Sequence, residues 1–308
     1  ILYKKDTIMK SPISSFSFNM PSAVRFGLGA AVKSVDEIRM CLGHKVLLIS
    51  DPELTNLGLY GPLQKRLIDK GAEVRVFDSV ESDPSLETVL KAINFGFESA
   101  STGVIGFGGG SSMDVAKLTA LILSSKENIE NCWGIGNVMG PRLPLCLIPT
   151  TAGTGSESTP ISIITVAGDE KRGVVSPIIL PDLAILDPEL TIGLPPQITA
   201  TTGIDAMVHS IESFSSANAN NNFLSRSLAI ESLNLLGRSI NVAVSDGSNI
   251  EARGEMLLGS MLAGMAFANS PVGAVHALAY PIGGSFHIAH GLSNSLVLPK
   301  VLEFNSID

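Results

Sequence analysis

Gly106-Phe-Gly-Gly-Gly-Ser-Ser-Met-Asp-Val-Ala-Lys117 joins a strand pattern to a helix pattern through three successive glycines. Glycines in such a turn let the backbone approach a ligand closely and adopt positive φ angles. The helix start that follows offers unpaired N–H groups and a partial positive charge, which suit a phosphate. The stretch is neither G-x-G-x-x-G, because Ser111 breaks that register, nor a Walker A loop. The physics favours a phosphate-binding turn, and a purely packing role for the glycines is the alternative.

Short β-rich runs alternate with helical patterns around this turn, from about Lys45 to Asp187. The β-rich runs are Lys45–Ser50, Glu73–Phe77, Gly103–Phe107 and Pro144–Ile148, and a helix pattern covers Gly61–Lys70. Such alternation predicts a parallel sheet flanked by helices. Ligands of these sheets bind outside the carboxyl ends of the strands, which directs attention to Asp51, Gly108 onward and Pro149 onward.

Asp51 stands directly after the first strong strand pattern. An acid at a strand end in a dinucleotide-binding fold accepts hydrogen bonds from ribose hydroxyls and repels a 2′-phosphate, which favours NAD over NADP. The alternative is an Asp that caps the turn before Pro52. In the common fingerprint the acid comes after the glycine turn, whereas here it comes before, so the residues alone leave both interpretations open.

Hydroxyls and glycines also cluster in Pro149-Thr-Thr-Ala-Gly-Thr-Gly-Ser-Glu157, directly after a strand pattern. Thr150, Thr151 and Thr154 can hydrogen-bond phosphate or ribose oxygens. A polar loop that caps the next element is the alternative interpretation.

The pattern of the chain changes after Thr191. Leu194-Pro195-Pro196 breaks any regular element, and long helical periodicities follow in Gly203–Ser215, Asn222–Val242 and Ile250–Ala268. We therefore predict an α/β nucleotide-binding domain in residues 1–190 and a mainly helical domain in residues 191–308.

The helical part carries a candidate metal site. Asp205 and His209 are four residues apart and so share one face of a helix. His276, His287 and His290 follow downstream. Three neutral imidazoles and one carboxylate suit a divalent transition metal such as Fe or Zn. Each histidine taken singly is better explained as a satisfied polar residue, but the set together favours a metal.

Composition excludes several classes of function. The chain has 308 residues and a net charge of −8, so it lacks the basic footprint of a nucleic-acid-binding protein. Three scattered cysteines indicate a reducing cytoplasm. The mean hydropathy of +0.34 is high, yet no apolar run reaches the roughly 18 residues of a membrane span. We expect no membrane partner. The many apolar residues are expected to lie in a deep core or at a subunit interface.

Four motifs in one order resemble the iron-containing (group III) alcohol dehydrogenases. They are the turn Gly108-Gly-Gly-Ser-x-x-Asp-x-x-Lys117, the loop Pro149–Glu157, Gly203-x-Asp-x-x-x-His209, and His276-x13-His290 followed by Gly291. The similarity runs from about Phe18 to Asn305. It implies a dehydroquinate synthase-like architecture: an N-terminal α/β dinucleotide-binding domain, an all-α C-terminal domain, and the metal and substrate in the cleft between them.

The resemblance also assigns roles to individual residues. Its metal ligands fall on Asp205, His209, His276 and His290, which leaves His287 out of the ligand set. Its cofactor-binding positions fall on Asp51, Gly108, Gly109, Gly110, Ser111, Thr150, Thr151, Thr154 and Lys171. Asp83 stands where many members have Asn and is not included.

Two departures from the family pattern affect the prediction. Many members have a second His four residues after the third ligand, where this chain has Tyr280, so Tyr280 and the nearby His287 become the candidates for proton relay. The chain stops at Asp308, where the family usually continues through further helices, so either the sequence is truncated or the helical domain is incomplete.

The expected activity is a reversible, metal-dependent and NAD-linked oxidation of a small alcohol to its aldehyde or ketone. Fe(II) is the expected metal and Zn the alternative. A zinc glycerol-dehydrogenase-like or dehydroquinate-synthase-like enzyme on the same fold is the alternative function. The family resemblance further implies a homodimer, and the location is expected to be cytoplasmic.

Overall fold

The computed structural model describes residues 15–167, 170–286 and 288–306. Within them the chain forms two compact units. One unit comprises Met20–Thr151 and Ser156–Thr191, and the other comprises Ala152–Gly155 and the residues from Ile192 onward, together with residues 15–19.

The first unit alternates strands and helices. Its strands are β1 (Ala23–Phe26), β2 (Lys45–Ile49), β3 (Glu73–Phe77), β4 (Gly103–Gly108), β5 (Gly134–Ile135), β6 (Leu145–Pro149), β7 (Ile161–Thr165), β8 (Lys171–Val175) and β9 (Leu183–Leu186). Its helices are α1 (Ala30–Lys33), α2 (Val35–Leu42), α3 (Pro52–Asn56), α4 (Gly61–Asp69), α5 (Leu86–Glu98) and α6 (Gly110–Ser125).

Six of the described strands form a wholly parallel sheet in the order β1-β9-β6-β4-β2-β3. Strands β4 and β6 are buried along their whole length because helices cover both faces, and one apolar cluster lies on each side. A small second sheet has the order β5-β8-β7. The parallel, helix-flanked sheet predicted from the sequence is confirmed, and the strand ends at Ile49, Gly108 and Pro149 meet at one edge.

The second unit is helical. It consists of α7 (Pro196–Ser215), α8 (Phe223–Ser245), α9 (Ile250–Asn269), α10 (Ala274–Phe286) and α11 (His290–Asn305). Asn222 forms a capping box with Ser225 at the start of α8, and the Asn249 side chain caps α9. Helix α9 is buried on nearly every side from Met256 to Ala266, where apolar and small residues occupy all of its faces.

Helix α7 begins seven residues before the start that the periodicity indicates. Pro195 is its N-cap and Pro196 its first residue, so the proline pair begins the helix and does not separate elements. A proline fits the first turn because the N–H that it lacks has no helical partner there.

Two short segments belong with the helices although the predicted boundary at residue 190 assigns them to the first domain. Gly155 has a φ of +59°, and a Cβ there would lie 2.7 Å from Cα of Gly264 in α9. Near the N-terminus, the backbone N–H of Asn19 donates to the Asn269 side chain at 2.6 Å. The helical unit therefore includes segments that are distant in sequence but contact its helices.

Among the described residues, no single helix has both the length and the apolar character needed to cross a membrane. Helices α9 and α10 together meet these criteria by length and composition, but they bend by 106° at the break between them.

Candidate metal and cofactor sites

Three helices of the second unit bring four predicted metal ligands together. Helix α7 presents Asp205 and His209 on one face, α10 carries His276, and His290 is the first residue of α11. One donor atom from each side chain lies within 4.8 Å of those from the other three. Oδ1 of Asp205 is 3.9 Å from Nε2 of His276 and 3.6 Å from Nε2 of His290. Three imidazoles and one carboxylate thus converge on one point.

The electrostatics of this cluster suit a divalent transition-metal ion. Burial raises the pKa of Asp205, but the neighbouring imidazoles and the Asn294 amide outweigh burial and hold the pKa below its ordinary value. Burial lowers the pKa of His209 to about 3, so its ring is neutral at neutral pH. Nδ1 of His209 is buried and has no hydrogen-bond partner among the described residues. An ionised carboxylate beside a neutral imidazole is the ligand state that such metals require.

Two buried side chains that we did not predict contact the ligands. Glu212, one turn beyond His209 on α7, accepts a hydrogen bond from His276 Nδ1 at 2.6 Å. Asn294 on α11 donates to Asp205 Oδ1 at 2.6 Å. Both follow a histidine at helical spacing, three residues after His209 and four after His290. That spacing is the signal from which they could have been found.

Tyr280 lies against the same cluster. Its ring is stacked on His290 with centroids 5.4 Å apart, and its centroid is 6.3 Å from that of His276. The side chain is 42% exposed, so it borders the site rather than filling it. The other candidate for proton relay, His287, lies outside the described residues.

The glycine turn connects the end of β4 to the start of α6. Gly108 has a φ of +147°, and a Cβ there would lie 2.8 Å from Ser112 Oγ and 3.3 Å from Asp51 Oδ2. Gly109 is the N-cap of α6, and no side chain caps this helix. Its first turn, which begins with Gly110 and Ser111, therefore presents backbone N–H groups to an anion.

Neighbouring strands bring the other predicted residues to this turn. The backbone N–H of Thr150 donates to Gly108 O at 3.0 Å, and a Cβ on Gly109 would lie 3.6 Å from Thr151 Oγ1. Asp51 Oδ1 caps α3 by accepting from the Leu54 N–H at 2.9 Å, as the capping interpretation expects. Oδ2 lies 3.3 Å from the position of a Cβ on Gly108, and its contact with a ribose stays a prediction.

Two further predicted cofactor residues belong to other parts of the chain. Lys171 begins β8 and forms an ion pair with Asp83. Thr154 belongs to the helical unit. Their contact with the cofactor stays a prediction.

A buried charge network lies beneath the turn. Lys117 of α6 is fully buried, and its ammonium donates to Ser156 Oγ at 2.8 Å and to Ile161 O at 2.6 Å. Asp114, one turn earlier, accepts from Ser156 Oγ at 2.7 Å and from the Ile163 N–H at 2.8 Å. The network therefore joins the helix that follows the glycine turn to the end of the Thr150–Glu157 loop.

The family models match both parts of the chain. The model "Iron-containing alcohol dehydrogenase" matches residues 21–188, and "Fe-containing alcohol dehydrogenase family, C-terminal" matches residues 199–308. Long-chain-alcohol dehydrogenase 1 of Geobacillus thermodenitrificans is 42% identical over 287 residues, which cover 92% of this chain and 72% of that protein.

Solved structures agree with the family models. A 1,3-propanediol oxidoreductase superposes with a TM-score of 0.91 at 33% identity and covers 95% of this chain and 76% of its own. The sulfoacetaldehyde reductase of Bifidobacterium kashiwanohense, in complex with NAD+, superposes with a TM-score of 0.86 at 32% identity. The match covers 94% of this chain and 77% of the reductase chain.

The fold and the two sites define a metal-dependent, nucleotide-linked oxidoreductase. The chain belongs to the iron-containing alcohol dehydrogenase family. It is an NAD-dependent enzyme of that family that interconverts an alcohol and its aldehyde or ketone, with NAD and iron as cofactors. The family assignment favours this activity over the glycerol-dehydrogenase-like and dehydroquinate-synthase-like alternatives.

Proposed function

We propose that Asp205, His209, His276 and His290 hold the iron and that this centre acts on a small alcohol. The observation that carries the proposal is the convergence of four donor atoms within 4.8 Å of one another, from an acid and three histidines on three helices. The donor set fits the ion because three neutral nitrogens and one carboxylate are common ligands of Fe(II) and Zn(II). When bound, the metal would supply Lewis-acid activation of an alcohol hydroxyl and NAD would supply the hydride acceptor.

The residues of the glycine turn and the threonine loop bind the nucleotide in this proposal. The N–H groups of Gly110 and Ser111 hold the pyrophosphate at the uncapped start of α6, and the hydroxyls of Thr150 and Thr151 add hydrogen bonds. Asp51 selects NAD because its Oδ2 lies beside Gly108, where a carboxylate accepts from ribose hydroxyls and repels a 2′-phosphate. Thr154 and Lys171 contribute further cofactor contacts.

The Tyr280 hydroxyl takes part in moving the alcohol proton toward solvent. This role is supported by its stacking on His290 and by its partial exposure. A phenol both donates and accepts hydrogen bonds, so it can relay a proton without a permanent charge of its own.

A homodimer in the cytoplasm completes the proposal. The high mean hydropathy and the exposed side chains of Phe26, in the edge strand β1, and of Leu28 just after it support a subunit contact. Three free cysteines and no disulfide among the described residues support a reducing compartment.

Metal removal and replacement test the assignment. We expect NADH formation from short alcohols to disappear after chelation, to return with Fe(II), and to be lost together with bound iron in the His276→Ala and His290→Ala variants. His44→Ala serves as the control because His44 is exposed and its ring contacts Arg39. Normal iron content and turnover in the two ligand variants would show that the assignment is wrong.

A further inference from the structure

Glu212 is a buried carboxylate to which the proposed chemistry gives no role. It lies on α7 at the third of three positions that share a face, after Asp205 and His209. Its side chain is 6% exposed. Oε1 accepts from the backbone N–H of Val275 at 2.6 Å, and Oε2 contacts Nδ1 of His276 at 2.6 Å. The carboxylate thus binds two successive residues at the start of α10.

This contact determines which nitrogen of His276 is available. A carboxylate only accepts hydrogen bonds, so Nδ1 at 2.6 Å from Oε2 carries the proton. Nε2 is then the nitrogen with a lone pair, and it lies 3.9 Å from Asp205 Oδ1, on the side where the four donor atoms converge. Histidine ligands of metals are commonly oriented in this way by a carboxylate on the second nitrogen.

We propose that Glu212 is a positioning residue of the metal site, which holds His276 in the Nδ1–H form with Nε2 directed at a divalent transition-metal ion. The proposal rests on the metal site of the proposed function. Its competitor is a purely structural role, in which Glu212 only satisfies the Val275 N–H and thereby stabilises the start of α10.

Glu212→Gln separates the two roles. A glutamine has one acceptor oxygen and one donor nitrogen at the end of its side chain, so it satisfies the Val275 N–H by directing its NH2 group at His276 Nδ1. Nδ1 must then be the acceptor, and the proton moves to Nε2, where it competes with the metal ion and weakens metal binding. The variant keeps the helix contact and loses the oriented ring. Glu212→Asp keeps two acceptor oxygens and serves as the conservative rescue.

The test measures binding of Zn(II) and Co(II) alone to the chelator-treated full chain, by competition with a chromophoric chelator. We expect Glu212→Gln to weaken metal binding by about 10- to 100-fold and to change the Co(II) absorption spectrum. We expect Glu212→Asp to recover most of the affinity. Glu231→Gln, an exposed glutamate on α8, is the matched control and should bind as the wild type does.

A direct readout on the wild type does not depend on any variant folding. The ¹⁵N chemical shifts of the His276 ring in the metal-free protein should show the Nδ1–H form. An Nε2–H form overturns the proposal. Wild-type metal affinity in Glu212→Gln together with a lowered melting temperature also overturns it, and leaves Glu212 only the structural role at the start of α10. If the wild type and Glu231→Gln bind no metal, the proposed metal centre is wrong and the role of Glu212 fails with it.

Discussion

Lys117→Met removes a fully buried cation from the network behind the glycine turn, and the structure predicts a loss of stability. The wild-type ammonium is fully buried, donates three hydrogen bonds and lies 3.7 Å from Asp114. Methionine fills a similar volume but leaves the partly buried carboxyl group of Asp114 and the buried one of Glu157 without a cation. Leaving buried hydrogen-bond acceptors without their donor costs about 1–3 kcal/mol, so we expect the free energy of unfolding at neutral pH to fall by that amount.

The size of this loss depends on pH in a defined direction. Burial lowers the pKa of Lys117 to about 8, although Asp114 and Glu157 oppose the shift. Between about pH 8 and the ordinary pKa range of lysine, the Lys117 side chain is protonated in the unfolded chain but deprotonated in the folded one. The contribution of Lys117 to the free energy of unfolding therefore rises with pH, with a limiting slope of about 1.4 kcal/mol per pH unit. The variant lacks this contribution, so its deficit grows over the same range.

Urea denaturation at neutral pH and at about pH 9.5 measures the effect within this range. The single tryptophan, Trp133, lies in the α/β unit and reports its unfolding by fluorescence. Lys91→Met is the control, because Lys91 is exposed and pairs with Glu87 one turn away, so we expect a change of about 0.5 kcal/mol or less. A deficit below about 1 kcal/mol at both pH values would refute the reasoning from buried charge.

Three further substitutions test the cofactor and relay assignments. Gly108→Ala places a Cβ 2.8 Å from Ser112 Oγ at a φ of +147°, so we expect a loss of about 1–3 kcal/mol in urea denaturation and weaker NAD binding by fluorescence titration; unchanged NAD affinity would contradict a close approach of the cofactor to this turn. Asp51→Ala should lower the free energy of unfolding by about 1 kcal/mol through the lost cap of α3 and should raise kcat/KM with NADP relative to that with NAD. An unchanged ratio of the two kcat/KM values would show that Asp51 only caps α3. Tyr280→Phe keeps the stacked ring but lacks the hydroxyl, so kcat should fall while iron content stays at the wild-type level; wild-type kcat would exclude the relay.

The parallel sheet was predictable because its strands are buried on both faces and read as continuous apolar runs. The predicted strands, Lys45–Ser50 for example, agree with those of the structure to within about a residue, which is the precision expected of element boundaries. The start of α7 was not predictable from periodicity, because Pro195 and Pro196 were interpreted as a break although a proline is tolerated in the first helical turn.

The metal cluster could be predicted only in part from the residues and their spacing. Asp205 and His209 meet through local helix geometry, which the four-residue spacing contains. His276 and His290 reach them only because α10 and α11 pack against α7, and periodicity carries no information about that packing, so the family resemblance was needed to choose them over His287. Glu212 was missed because a glutamate on a helix face is ordinarily solvated.

The segment Ala152–Gly155 also limits how this protein can be divided. It belongs to the helical unit, yet both of its ends continue into the α/β unit, so one cut in the gene cannot release either unit whole. A chimaera that joins the first half of one relative to the second half of another would place a foreign loop against α9. A Cβ on Gly155 would lie 2.7 Å from Cα of Gly264 and 2.9 Å from O of Ser260, so residue 155 and this part of α9 cannot change independently. Recombination within the family should therefore succeed most often when the loop and α9 come from the same parent.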